Sequence, residues 1–78
     1  MRINKNDKLL EIGVRFDGVK LKEAREKKNL TQEDVARQIG GHQQTVNRHE
    51  NNEILPSSYY LIWYSIIYDI SIDSIIFN

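Results

Sequence analysis

The chain has 78 residues, 11 basic and 11 acidic side chains for a formal net charge of zero, and no cysteine. That length suits one compact domain with a modest core and leaves little room for a second domain or a deep catalytic cleft. Without cysteine there is no disulfide and no thiolate metal site.

The zero balance conceals an asymmetry. Residues 1–28 hold nine Lys/Arg against five Asp/Glu, residues 29–50 hold two against three, and residues 51–78 hold three acidic residues and no basic one. A basic end suits a polyanionic partner, and a neutral end suits some other task; chance and ordinary solubility are the bland alternative. Met1 to Lys8 is polar and lacks the apolar run of a signal peptide. Tyr59 to Tyr68 is nearly all apolar but is only ten residues long, against about 20 for a membrane-spanning helix. A cytoplasmic protein with no membrane partner is expected.

In chain order, the first pattern is an alternation. Leu10, Ile12, Val14 and Phe16 fall on one side, and Glu11, Gly13, Arg15 and Asp17 on the other. That is the period of a half-buried strand, placed over residues 9–16. A lone strand needs a partner for its backbone groups, and that partner must lie elsewhere in the chain or in another chain. Residues 1–17 are thus read as an arm and 18–78 as the folded domain. The first helix starts at Asp17 or Gly18 and carries Val19, Leu21 and Ala24 among charged residues. Asn29 ends it, being well suited to a left-handed C-cap. Thr31 is a good N-cap for a second helix, with Glu33 and Asp34 in its first turn where the helix dipole favours carboxylates. Val35, Ala36 and Ile39 supply its buried face, and Gly40-Gly41 stops it. A third helix starts near His42 or Gln43 and runs to Glu50. Only Val46 is strongly apolar there, so one stripe holds the helix and the other face is kept for something else. Ser57 or Ser58 caps a fourth helix through Tyr68, Asp69 breaks it, and Ser71 caps a last short helix from Ile72 to about Phe77.

Residues 31–50 have a specific spacing. A two-turn helix with a small Ala36 at its middle meets a glycine turn, then a second helix fastened by Val46. Gln43, Gln44, Asn47 and Arg48 are left pointing outward. The run Leu21-Lys22-Glu23-Ala24-Arg25, then Leu30-Thr31-Gln32-Glu33-Asp34-Val35-Ala36, Ile39-Gly40, Thr45-Val46, Glu50-Asn51, Pro56, Leu61 and Ile70-Ser71-Ile72-Asp73 resembles the Xre/Cro-C1 helix-turn-helix family over roughly residues 18–76. The resemblance implies an all-α, compact five-helix fold like that of lambda repressor, here with a short extended arm. It also implies that the third helix lies in the major groove with its N-terminal residues near base edges.

The side chains suit that task. Gln43 and Gln44 can pair with adenine, and Asn47 and Arg48 complete the expected base-contacting set. Thr45 can reach a phosphate or a thymine methyl group. Gln32 resembles the family's phosphate-clamping glutamine, and Thr31, Lys28 and His42 are further phosphate candidates. Lys20 and Lys27 are weaker ones, since surface lysines are usually only solvated. Arg25 and Glu50 resemble the family's internal ion pair. His42 and His49 are seven residues apart with no third ligand, so no metal is expected, and no cofactor. Three departures stand out. Gly41 replaces a commonly apolar turn residue, which predicts a looser turn. Asn52 replaces a glycine after the third helix, which asparagine tolerates at positive φ. Glu53 stands near the expected phosphates and would repel them.

In the fourth helix, Leu61, Tyr64, Ser65 and Tyr68 form the core face. Tyr59, Ile62, Trp63 and Ile66 form a second apolar stripe that calls for a cover, either the N-terminal strand or a second subunit. The expected protein is a sequence-specific DNA-binding regulator, a repressor, acting as a homodimer on a pseudo-palindromic operator. The alternatives are an antitoxin that binds a toxin protein and autoregulates, and an interaction module that has lost DNA binding. Nothing in the residues supports an enzyme.

Overall fold

A computed structural model describes residues 15–77. In order they form β1 (Arg15–Phe16), α1 (Gly18–Lys27), α2 (Gln32–Ile39), α3 (Gln43–Glu50), α4 (Ser58–Tyr68), a 3-10 turn (Ile72–Ser74) and β2 (Ile76–Phe77).

Local chemistry sets these boundaries. Asp17 opens α1 by accepting from Val19 N–H at 3.0 Å. Asn29, at φ 57°, takes the left-handed conformation that reverses the chain beyond the Lys28 C-cap. Thr31 and Asp34 cap α2 reciprocally: Thr31 Oγ1 accepts from Asp34 N–H at 3.0 Å, and Asp34 Oδ2 accepts from Thr31 N–H at 2.9 Å. The Thr31 backbone N–H is the main reason the Asp34 carboxyl sits below its usual pKa. Gly40, at φ 81°, ends α2, and its N–H and that of Gly41 both reach Ala36 O at 2.9 Å. Ser57 caps α4, and Asp69 stops it at φ 54°.

The body is all-α with four helices rather than five. The expected last helix is only the three-residue turn Ile72–Ser74. Beyond it Ile75 is fully buried, and its carbonyl accepts from Asp17 N–H at 3.1 Å. Ile76 and Phe77 then extend antiparallel to β1, in the register Arg15↔Phe77 and Phe16↔Ile76. Their backbone groups are used across the ladder, so no helix can continue through them. The partner of Arg15–Phe16 is therefore the chain's own C-terminal segment. The expected strand over 9–16 is represented by Arg15–Phe16 alone; Leu10, Ile12 and Val14 lie outside the described residues.

The core is Leu21, Ala24, Val35, Ala36, Ile39, Val46, Tyr64, Tyr68 and Ile75, with Phe16, Leu30, Leu61, Trp63, Ile67 and Ile70 packed around it. Each large apolar member contributes roughly 1.5–3 kcal/mol by leaving water. His49 joins this core, 2% exposed, with Nδ1 2.7 Å from the Tyr64 hydroxyl. Tyr64 and Tyr68 stack with centroids 5.5 Å apart.

Two tyrosines of α4 hold the α2–α3 turn. Tyr59 donates its O–H to Ile39 O at 2.8 Å, which satisfies a carbonyl at the end of α2. Tyr60 packs its hydroxyl against Gly41, where a Cβ would have no space. The turn expected to be loose is in fact filled by Tyr60. A second close approach lies at Gly18, where an added Cβ would fall 2.7 Å from Glu50 O and closer still to His49 O. Asn52, at φ 60°, accepts from Gly18 N–H through Oδ1 at 2.9 Å, so the start of α1 is pinned to the end of α3. On the far side of α4, Tyr59, Ile62 and Ile66 are 55%, 53% and 64% exposed. Trp63 departs from the expected exposed stripe: it is half-buried against the core.

Candidate nucleic-acid interface

The surface of α3 follows from what anchors it. Val46, His49 and Glu50 are buried and fix one side of the helix. His42, Gln43, Gln44 and Arg48 are exposed, and Thr45 is half-buried beside them. His42 occupies the N-cap without a side-chain cap bond. The positive end of the helix dipole therefore has no side-chain cap, and the two glutamines are the residues that begin the helix there.

A polar chain runs beneath this surface. Arg25 on α1 grips Glu50 on α3 with Nε 2.8 Å from Oε2 and Nη2 3.2 Å from Oε1. Their side chains are 12% and 2% exposed. Arg25 Nη1 also donates to Leu30 O at 2.8 Å. The Glu50 hydrogen bonds hold the guanidinium above its ordinary pKa, against the opposing cost of burial. Removing one member of such a pair strands the other, at a cost of roughly 3–5 kcal/mol. Gln32, at the start of α2, donates Nε2 to Glu50 Oε1 at 3.0 Å. Asn47 Nδ2 donates to Gln32 Oε1 at 3.3 Å, and Asn51 Nδ2 donates to Asn47 Oδ1 at 3.1 Å.

The candidate residues therefore separate. Gln43, Gln44, Arg48 and His42 are each exposed in or at the start of α3, with Thr45 half-buried among them. Gln32 is half-buried next to them. Asn47 is not turned outward like its neighbours: it is half-buried and tied to Gln32. Thr31 is exposed, but its N–H and its oxygen are both used in the cap. Lys28 is exposed at the C-cap of α1. Lys20, Lys27 and Lys28 all line a groove with Tyr68, Ile70 and Ser74, away from the face of α1, marked by Gly18 and Arg25, that meets α3. Glu53 is exposed just past α3, its N–H bonded to Arg48 O at 2.9 Å. Among the described residues no group of three or more His, Asp or Glu could hold a metal, and no described helix is long and apolar enough to cross a membrane.

Sequence reasoning missed Asn51, although its i, i+4 spacing from Asn47 on α3 was a usable signal. The use of Asn52 as a side-chain acceptor for Gly18 had no such signal.

Comparison with known proteins agrees with this geometry. A family model described as helix-turn-helix matches residues 21–75. No curated protein sequence matches. A chain in the solved complex of SinR protein with SinI protein has a similar fold, with a TM-score of 0.68 and 24% sequence identity, over 73% of this chain and 56% of that one. The present chain thus spans little more than half the length of that structure.

Proposed function

The chain belongs to the Cro/C1-type, Xre-like helix-turn-helix family of DNA-binding regulators, and from that premise we propose that it binds a specific double-stranded DNA site through α3 and represses transcription there. The observation that carries this reading is the outward side of α3. Gln43, Gln44 and Arg48 stand exposed on a short helix whose other side is fixed by Val46, His49 and Glu50. Glutamine amides offer the paired donor and acceptor that match adenine, and arginine matches guanine or a phosphate. Gln32, Thr45, Thr31, Lys28 and His42 are the phosphate-facing set in this reading, and they orient the helix without reading sequence. Repression requires only occupancy of the operator. A cytoplasmic location follows from such a role.

The test is selection of bound sequences from random duplex DNA. The wild-type chain should enrich a defined half-site, and Gln43→Ala and Gln44→Ala should each lose preference at particular base pairs. Equal enrichment by wild type and both variants would remove α3 from the reading role.

The exposed stripe of Tyr59, Ile62 and Ile66 supports a protein partner as well. We assign it to a second copy of the chain, because two-fold pairing would present two α3 helices to a pseudo-palindromic site one DNA turn apart, about 34 Å. The competing reading is an antitoxin whose stripe covers a toxin protein. The SinR chain was solved with a second protein, which keeps a heterologous partner in view here. Co-purification of a second small protein from the native source would favour that reading.

A further inference from the structure

The chain of amides beneath α3 has a fixed polarity. A carboxylate only accepts hydrogen bonds, so the Glu50 oxygens, already gripped by Arg25, dictate that Gln32 turns its NH2 toward them. That choice leaves Gln32 Oε1 facing α3 as an acceptor. Asn47 must then present its NH2 to Oε1, and its own oxygen is left to receive Asn51 Nδ2. One buried carboxylate thereby orients three successive side-chain amides. Both polar atoms of Asn47 are engaged within the protein. Each Asn47 polar atom keeps some capacity, as those of Gln32 do, but the Asn47 amide is held by Gln32 on one side and Asn51 on the other in a half-buried position. Bidentate pairing with adenine needs instead an amide free to turn its donor and acceptor together to the base edge.

We infer that Asn47 is a positioning residue that acts through Gln32 and does not read a base. This inference rests on the DNA-binding reading above. Held by Glu50 on one side and Asn47 on the other, Gln32 keeps one Nε2 hydrogen uncommitted beside the N-terminus of α2, oriented for a phosphate oxygen. Base reading is left to Gln43, Gln44 and Arg48. Asn51 fixes the Asn47 rotamer from one turn further along α3.

The experiment is a double-mutant cycle in duplex binding, with Gln32→Ala, Asn47→Ala and the double variant. It is run on the wild-type chain's selected site and on the same site altered at each base pair. Asn47→Ala should weaken binding by roughly three- to tenfold, the range of one hydrogen bond. The loss should be equal on every sequence, with the melting temperature unchanged. In the Gln32→Ala background Asn47→Ala should have no further effect. Loss of discrimination at one base pair, or losses that multiply in the double variant, would overturn the inference. So would a fall in affinity that merely tracks a fall in melting temperature. If the wild-type chain binds no duplex at all, the DNA-binding reading itself fails, which is a separate result from either.

Discussion

Among single residues, His49 has the clearest consequence outside DNA recognition. Burial beside Tyr64 lowers its pKa from 6.5 to about 4, and the nearby Glu50 offsets this only in part. Because the folded value lies below the unfolded one, neutral His49 contributes stability that is fully present above pH 6.5. That contribution is lost as pH falls toward 4, where the unfolded chain takes up a proton that the folded chain does not. The loss should amount to roughly 3 kcal/mol once the pH is well below 4, following from the depression of the folded value. Denaturant unfolding across this pH range measures it, and His49→Leu should flatten the curve. An equally steep curve in that variant would place the acid sensitivity elsewhere. Asp34 acts in a separate window: its pKa is lowered at an exposed site, so its contribution disappears only below the ordinary carboxylate range. From the sequence, His49 reads merely as a partly apolar residue. Its hydroxyl partner is 15 residues away on another helix, and no local pattern reveals such a pairing.

Between elements, two glycines that look alike in sequence differ in what constrains them. Gly18 faces the backbone carbonyls of His49 and Glu50, which cannot move independently, whereas Gly41 faces the end of one side chain, Tyr60. Gly18→Ala should therefore cost about 2–3 kcal/mol, near the top of the overpacking range, and Gly41→Ala about 1 kcal/mol. Thermal melts compare them, since 1 kcal/mol moves the midpoint of a domain this size by roughly 4–8 °C. Tyr60→Phe should restore most of the loss in Gly41→Ala and none of it in Gly18→Ala. Equal losses without rescue would mean that the hydroxyl contact does not constrain the turn. The helix boundaries themselves were legible in the sequence, because Asp17, Asn29, Thr31, Gly40, Ser57, Asp69 and Ser71 each act within a turn of their own position. The end of the chain was not. Ser71 begins a turn as expected, but pairing of Ile76–Phe77 with Arg15–Phe16, some 60 residues earlier, overrides the local helical preference. Trp63 was misplaced for a related reason: a helical wheel gives direction, and not how far the neighbouring core extends.

At the scale of the whole molecule, the domain has two surfaces of opposite character. One carries the glutamines and Arg48 of α3; the other carries Tyr59, Ile62 and Ile66 of α4. Tyr59 bridges them, with its ring on the apolar surface and its hydroxyl on the carbonyl that ends α2. A partner seated on α4 thus bears on the residue that secures the turn before α3. Sedimentation at micromolar concentration should show a species of about twice 9.2 kDa, reduced to the single mass by Ile62→Glu. A wild-type sample that stays at the single mass would contradict pairing through α4. The charge asymmetry read in the sequence maps onto this arrangement only partly. Lys20, Lys27 and Lys28 line a groove beside α4, and Arg2, Lys5 and Lys8 lie outside the described residues. The central claim, that the exposed side of α3 meets DNA, is tested most directly by backbone amide chemical shifts recorded while a selected duplex is added. The largest changes should fall on Gln32, Gln43, Gln44, Thr45 and Arg48, with Ile62 and Ile66 little affected. Changes confined to α4, with α3 unmoved, would contradict the account.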